Sequence, residues 1–170
     1  MNRSKAFSAI EVTIVMTVVI ILSVAVIVAI GNQIKAIRLA NASDKLVSDL
    51  TYAQYMANGT SQWYGVSLEA NPGNIYVVFV TTGTLDTVVP DPADQTDLDL
   101  VNVNATYGVQ ISSVTVEGGG KKIEFRPDGT PFTDKTVANP ATQECVITLS
   151  NGSATRTVRV TPNTGRIYEQ

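Results

Sequence analysis

The chain carries a long apolar segment close to its N-terminus. Val12 to Ile30 gives 19 consecutive uncharged residues, rich in Val and Ile and interrupted only by Thr13, Thr17 and Ser23. As an α-helix, this run is about 28 Å long at 1.5 Å per residue, which is close to the hydrocarbon thickness of a bilayer. In a helix the backbone N–H and C=O groups bond to one another, which matters because lipid offers them no hydrogen-bonding partners. The pattern therefore predicts a membrane-spanning helix.

The helical pattern continues past the apolar run and becomes amphipathic. Apolar residues recur at intervals of three or four, as one helix face requires, at Leu39, Ala42, Leu46, Leu50, Ala53 and Ala57. Asn58-Gly59 supplies a helix stop. We predict one helix from about Phe7 to Asn58, roughly 78 Å long. It is apolar on all sides over residues 7–30 and amphipathic over 31–58. A coiled-coil dimer is the competing interpretation, but the stripe is short and rich in Ala.

Short β-type runs separated by turn residues follow Gly59. The predicted strands cover 63–70, 74–82, 107–117, 121–126, 145–149 and 156–161. Residues 74–82 are apolar on both faces, which predicts a central strand covered twice. Ser150-Asn151-Gly152-Ser153 is a hairpin signal between the last two strands. The predicted fold class is α+β, with a long N-terminal helix packed on an antiparallel β-sheet or β-sandwich head over residues 59–170.

Composition excludes several kinds of catalytic site. The chain has no His and a single Cys, which rules out Ser/His/Asp and Cys/His triads, His-ligated zinc and an intramolecular disulfide. Cys145 shares one strand face with Ile147 and Leu149, so a buried thiol is favoured over a redox or nucleophilic site. We therefore predict a protein that is not an enzyme.

Charge argues against a nucleic-acid-binding protein. The net charge is −3 and the pI is near 4.8, which does not suit a broad nucleic-acid surface. Basic side chains of the head could form a DNA-binding patch only if their strands align, and a scattered solvated arrangement is favoured: Lys121, Lys122, Arg126, Arg156, Arg159 and Arg166.

An acidic segment between Leu85 and Asn104 is the one candidate metal site. It contains no basic residue, and its carboxylates are the ligand type that Ca²⁺ prefers: Asp86, Asp91, Asp94, Asp97 and Asp99. The last four are the calcium candidates. The segment lacks the Asp-x-Asp-x-Asp-Gly order of an EF-hand and contains Pro90 and Pro92. A solvated acidic loop without a cofactor is therefore the favoured interpretation.

The N-terminus carries a more specific pattern. Ala6-Phe7-Ser8-Ala9-Ile10-Glu11, preceded by a short leader with two basic residues and followed by the apolar run, resembles the class III leader of type IV pilins and pseudopilins. The resemblance covers about 25 residues. It departs from the family at Ala6, where Gly is usual, and at Ser8-Ala9, where Thr-Leu is commoner.

This resemblance implies processing and assembly. A prepilin peptidase would remove residues 1–6 by cutting between Ala6 and Phe7, and would methylate the new Phe7 amine. Glu11 would then be the fifth mature residue and would meet the Phe7 amine of a neighbouring subunit. Arg3 and Lys5 favour a cytoplasmic N-terminus, which puts the head in the periplasm of a bacterial inner-membrane protein.

Two other interpretations of the N-terminus remain open. A cleavable signal peptide would use Ala40-Asn41-Ala42, but that pattern lies ten residues beyond the apolar run, which itself exceeds the usual length of about 7–15 residues. A plain signal anchor accounts for the length and gives no reason for Glu11, because a charge inside a membrane span needs a partner.

A second resemblance narrows the subgroup. Asp49-Leu50, Ala53-Gln54, Tyr64-Gly65-Val66, residues 123–129 and Thr164-Gly165-Arg166-Ile167 are similar to the GspH/FimT group of minor pseudopilins. The resemblance implies a structural subunit at or near the tip of a type II secretion pseudopilus. Its partners would be other pseudopilins or pilins, the prepilin peptidase and the inner-membrane assembly platform. A minor type IV pilin acting in pilus assembly or DNA uptake is the alternative, and a membrane-anchored periplasmic binding module is a third.

Overall fold

The computed structural model describes residues 8–69, 72–90, 100–136 and 139–170, without the side chains of residues 24–29. The chain divides into two compact units, Met1–Ala36 and Ile37–Gln170. Helix α1 (Ala9–Thr60) belongs to both. The second unit adds helix α2 (Val103–Tyr107) and the strands β1 (Trp63–Glu69), β2 (Ile75–Thr81), β3 (Asp86–Val88), β4 (Leu100–Asn102), β5 (Gln110–Thr115), β6 (Lys122–Phe125), β7 (Pro131–Phe132), β8 (Cys145–Ser150), β9 (Thr155–Val160) and β10 (Ile167–Glu169).

Helix α1 ends slightly later than its sequence signal indicates. Gly59 is still helical, so the predicted stop at Asn58-Gly59 is wrong. The left-handed residue is Ser61, with φ of 57°, and the hydroxyl of Thr60 donates to the carbonyl of Met56 at 2.7 Å. The predicted start at Phe7 lies outside the described residues.

The apolar stripe of α1 forms one side of the core of the second unit. All six predicted positions, from Leu39 to Ala57, are at most 2% exposed. They pack with inward residues of both β-sheets, including Val66 of β1, Ile123 of β6 and Ile147 of β8. The prediction of a helix resting on a β-rich head is confirmed.

The head contains two antiparallel sheets. In the first, the order is β3-β2-β1-β6-β7, and β4 pairs with the same edge of β2 as β3. Strand β2 is therefore paired along both edges, and Tyr76, Val78 and Phe79 are buried, which confirms its predicted central position. The second sheet has the order β10-β9-β8-β5. The predicted hairpin at residues 150–153 joins β8 to β9.

Within the described residues, no helix has the length and apolarity that a membrane crossing needs. The predicted span, residues 12–30, includes positions 24–29, whose side chains lie outside the described part of the chain.

Candidate functional site

The described part of the first unit presents an apolar surface on every side of α1. Ten large apolar side chains between residues 10 and 22 are between 46% and 71% exposed: Ile10, Val12, Ile14, Val15, Met16, Val18, Val19, Ile20, Ile21 and Leu22. Successive helical residues point about 100° apart, so this run leaves no polar face. An exposed apolar surface of this extent indicates contact with lipid or with other protein.

The hydroxyl groups of this segment are bonded within the helix. Thr13 donates to the carbonyl of Ala9 at 2.9 Å, and Thr17 donates to the carbonyl of Thr13 at 2.8 Å. Ser23 makes the same bond to Val19 at 2.7 Å. Each hydroxyl proton is used by a carbonyl four residues back, so these residues add little polarity to the surface.

Glu11 places a carboxylate at the start of this apolar surface. It lies in the first turn of α1, where the N–H groups of Glu11 and Val12 donate to the carbonyl of Ser8 at 3.0 and 3.2 Å. The side chain is exposed and borders a shallow cleft of about 260 Å³ that it shares with Val12, Val15 and Met16. An acid at a helix N-terminus is favoured by the helix dipole, and here it can also attract a cation to apolar surroundings. The other predicted site residues, Ala6 and Phe7, lie outside the described residues.

The second unit contains a buried acid on the helix. Asp49 is 3% exposed, and its carboxylate accepts hydrogen bonds from Lys45 and from the Tyr76 hydroxyl, both at 2.7 Å. A buried carboxylate is costly unless it is paired and hydrogen-bonded, and here both oxygens are used. These bonds connect α1 to β2 through Asp49. They give a structural role to a residue that belongs to the resemblance with the GspH/FimT group.

Gln54 joins three separate parts of the second unit. Its side-chain amide donates to the carbonyls of Gly129 and Gly165 at 3.0 and 3.1 Å. These glycines lie in the turn between β6 and β7 and in the turn between β9 and β10, and both have positive φ, 82° and 65°. The resemblance to minor pseudopilins singled out all three residues, and the structure brings them into direct contact.

Most basic residues named as a candidate DNA surface are bonded to acids. Lys122 pairs with Asp86, and the others pair as Arg126–Asp128, Arg156–Glu169 and Arg159–Glu144. The guanidinium of Arg166 lies 5.6 Å from the ring centroid of Tyr168. These pairs reduce the net positive charge that phosphate binding would require.

Cys145 is a buried thiol, as predicted. It is 1% exposed, and burial raises its pKa to about 11. Only the thiolate is a strong nucleophile, so this side chain is unreactive near neutral pH.

No described residues form a metal centre. The calcium candidates Asp91, Asp94, Asp97 and Asp99 lie outside the described residues. Within the described ranges, no three His, Cys, Asp or Glu side chains are grouped so that they could hold a metal ion.

Asn74 links the two sheets, and the sequence pattern did not reveal it. It is 4% exposed and has φ of 54°. Its side-chain oxygen accepts the N–H of Ile111 at 2.9 Å, and its own carbonyl accepts the N–H of Val103 at 3.0 Å. Asn tolerates left-handed backbone better than most residues, and this preference is the sequence signal that could have identified the position.

Glu124 is a buried acid on the opposite face of the first sheet from α1. It is 3% exposed, and its carboxylate accepts the backbone N–H of Lys135 at 2.5 Å. Burial raises the pKa of Glu124 and the Lys135 bond opposes that shift. Among the nearby charges, those of Asp134 and Asp86 raise the pKa and that of Lys122 lowers it. Glu124 is therefore more easily protonated in the folded chain than in the unfolded chain.

This environment predicts an unusual pH dependence. A raised folded-state pKa gives stability that is fully present below the ordinary value of 4.5 and is lost as pH rises through the folded value. We expect Glu124→Gln to increase the free energy of unfolding at pH 7.5, by on the order of 1 kcal/mol, because the amide oxygen still accepts the Lys135 N–H. The gain should disappear near pH 4, as measured by chemical denaturation of the full chain in detergent.

Glu117 provides a control of opposite sign. Its carboxylate accepts two bonds from Thr142 and one from Gln143, which lower its pKa. Its contribution is present at neutral pH and is lost in acid, so Glu117→Gln should destabilise the chain at pH 7.5. A Glu124→Gln variant that is less stable than wild type at that pH would contradict the assignment.

Comparisons with known proteins add the fold relationship. No family model matches the chain, and no curated protein matches it by sequence. Among solved structures, the minor pseudopilin EpsH of the Vibrio cholerae type 2 secretion system is 8% identical, with a TM-score of 0.57 over 78% of this chain and 96% of EpsH. The type IV minor pilin FimU of Pseudomonas aeruginosa is 13% identical, with a TM-score of 0.51 over 78% of this chain and 87% of FimU. The chain therefore has the fold of the pilin-like minor pilins and minor pseudopilins.

Proposed function

We propose that this chain is a minor pseudopilin, a non-enzymatic structural subunit of a type II secretion pseudopilus. It would act in filament assembly at or near the tip and so in protein export. The observation that carries the proposal is the apolar surface on all sides of α1 between Ile10 and Leu22, together with a pilin-like head. A surface of this kind suits a subunit that is first held in lipid and then packed among other helices.

The proposal assigns a location to each part of the chain. Residues 1–6 are a leader, 7–30 a transmembrane and filament-core helix, 31–58 its amphipathic continuation and 59–170 a periplasmic head. The chain spans the inner membrane once with its N-terminus in the cytoplasm. The prepilin peptidase cuts between Ala6 and Phe7 and methylates Phe7, and the assembly platform moves the subunit into the filament.

Glu11 has a specific role in this scheme. Its carboxylate attracts the Phe7 amine of an adjacent subunit away from water. At 4 Å and an effective dielectric of 20, the attraction is about 4 kcal/mol before desolvation is subtracted. Much of that energy is offset by the loss of hydration, so the pair mainly fixes the register between neighbouring helices.

A minor type IV pilin is the second candidate, and the likeness to FimU supports it. We place it second because four of the six candidate DNA-contacting residues are paired with acids. That pairing disfavours DNA uptake as the role of the head, and co-purification of the assembled complex would distinguish the two systems.

The N-terminus provides the direct test. Mass spectrometry of the full chain from cells with prepilin peptidase should find a mature protein that begins at methylated Phe7. Cells without the peptidase should retain Met1. A chain that starts near Ser43, or one that keeps its leader in a working filament, would overturn the proposal.

Substitution of Glu11 tests the assembly role separately. We expect Glu11→Ala to leave the head folded and to reduce incorporation into filaments by about tenfold or more, since loss of a buried interfacial charge partner costs about 2–5 kcal/mol. Asp44→Ala is the matched control, because Asp44 is an exposed acid on the same helix. Quantitative immunoblotting of sheared filaments would measure both, and equal incorporation of the two variants would contradict the role.

A further inference from the structure

A cavity of about 300 Å³ lies where helix α1 passes into β1. Trp63, the only tryptophan of the chain, forms part of its wall at the start of β1. Thr81 and Thr82 contribute hydroxyl groups from the end of β2, and Lys135 contributes an ammonium group. At the rim, Leu85 is 65% exposed. The cavity thus combines an aromatic wall, hydroxyl groups, one cation and an apolar edge.

The ammonium group of Lys135 is available to a ligand. It lies 5.7 Å from the centroid of the Trp63 ring and 3.4 Å from the carbonyl oxygen of Thr81. Within the described residues, Lys135 forms no ion pair, and it is the only charged side chain that lines the cavity. A cation held beside an aromatic ring in a cleft can bind an anion without first breaking an ion pair.

Three acids of this region are each bonded to another group. Asp86 is bonded to Lys122, and Asp134 accepts the N–H and the hydroxyl of Thr136 at 2.7 and 2.6 Å. Glu124 is buried and accepts the backbone N–H of Lys135 itself. None of the three is among the residues that line the cavity.

We propose that this cavity binds an acidic peptide segment, with a carboxylate on Lys135 and a neighbouring apolar side chain between Trp63 and Leu85. The volume suits one or two side chains, and the charge complementarity selects an acid. The source of the segment, a neighbouring filament subunit, rests on the proposed function. The recognition chemistry does not depend on it.

Fluorescence of Trp63 provides a direct measurement, because no other tryptophan contributes. The full chain in detergent micelles would be titrated with acetyl-Leu-Asp-amide and, as a matched neutral probe, with acetyl-Leu-Asn-amide. We expect a saturable change with the Asp peptide and at least about tenfold weaker binding of the Asn peptide, because a hydrogen bond to a charged group is worth about 1.5–3 kcal/mol. Raising the NaCl concentration from about 0.05 to about 0.5 M should weaken only the Asp peptide.

Lys135→Gln should abolish the preference for the Asp peptide, whereas Lys121→Gln should preserve it. Circular dichroism would verify that both variants fold, and the salt titration of the wild-type chain tests the charge dependence without any substitution. Equal binding of the two peptides, an unchanged preference in Lys135→Gln, or no saturable response in the wild type would overturn the proposal. None of these outcomes bears on the proposed function, which is read from N-terminal processing and incorporation.

Discussion

Gly165→Ala is expected to lower the free energy of unfolding by about 2–5 kcal/mol. Gly165 has φ of 65°, where a Cβ atom costs about 1–2 kcal/mol. An added Cβ would also overlap the carbonyl oxygen of Gly129 and the side-chain nitrogen of Gln54. The substitution must therefore displace the turn before β10 and weaken both hydrogen bonds of Gln54, which adds about 1–3 kcal/mol if a buried polar group is left unpaired.

Gly152→Ala is the matched control for this prediction. Gly152 also has positive φ, 83°, but an added Cβ would meet no atom within 4 Å. We expect Gly152→Ala to lower the free energy of unfolding only by the backbone cost, about 1–2 kcal/mol. Chemical denaturation of the full chain, followed by Trp63 fluorescence and circular dichroism, would measure both variants. Equal losses at the two positions would show that the contact with Gly129 and Gln54 contributes nothing.

Leu46→Ala is expected to destabilise the chain by about 2–5 kcal/mol. Leu46 is completely buried in the apolar stripe of α1, and its removal leaves a cavity in a core that the helix shares with both sheets. The cost combines the lost transfer free energy of the side chain with the cavity that the neighbours cannot fill.

Leu100→Ala makes the same chemical change at a different depth. Leu100 is 57% exposed in β4, so its truncation should change the free energy of unfolding by no more than about 0.5 kcal/mol. The difference between the two variants isolates burial from side-chain identity. A Leu46→Ala variant as stable as Leu100→Ala would contradict the placement of the stripe against the sheets.

Periodicity predicted the parts of the fold in which one residue pattern decides the structure. The stripe from Leu39 to Ala57 and the alternation of Cys145, Ile147 and Leu149 both correspond to buried faces. The hairpin between β8 and β9 follows from local turn chemistry. These features are set by neighbours in the sequence, so the sequence alone is enough to identify them.

Other parts of the fold depend on distant partners and were missed. Strands β3, β4, β7 and β10 have two or three residues each, too few to establish an alternation. Helix α2 is five residues long and begins after Asn102, whose side chain accepts the N–H of Ala105. The strand predicted over 107–117 is shorter in the structure and covers Gln110–Thr115. The predicted helix end failed because Ser61 rather than Gly59 takes the left-handed conformation.

The candidate sites also divide into those that the sequence predicted and those that depend on distant residues. Glu11 was identified by its position before an apolar run, and the structure places it, exposed, at the start of that surface. Its predicted partner, the Phe7 amine, remains a prediction, as does calcium binding by residues 91–99. The cavity beside Trp63 was not predicted, because Lys135 is more than 70 residues away in the sequence and reaches Trp63 only through the folded turn after β7.

The hydroxyls of Thr13, Thr17 and Ser23 have one more consequence. Because each is satisfied by the carbonyl one turn earlier, none needs a bond to whatever surrounds α1. A helix whose hydroxyl groups are bonded internally can pass from one apolar environment to another without losing a hydrogen bond. Under the proposed function, α1 could therefore move from lipid into a filament with these bonds intact, and Glu11 would be the charged group whose surroundings change.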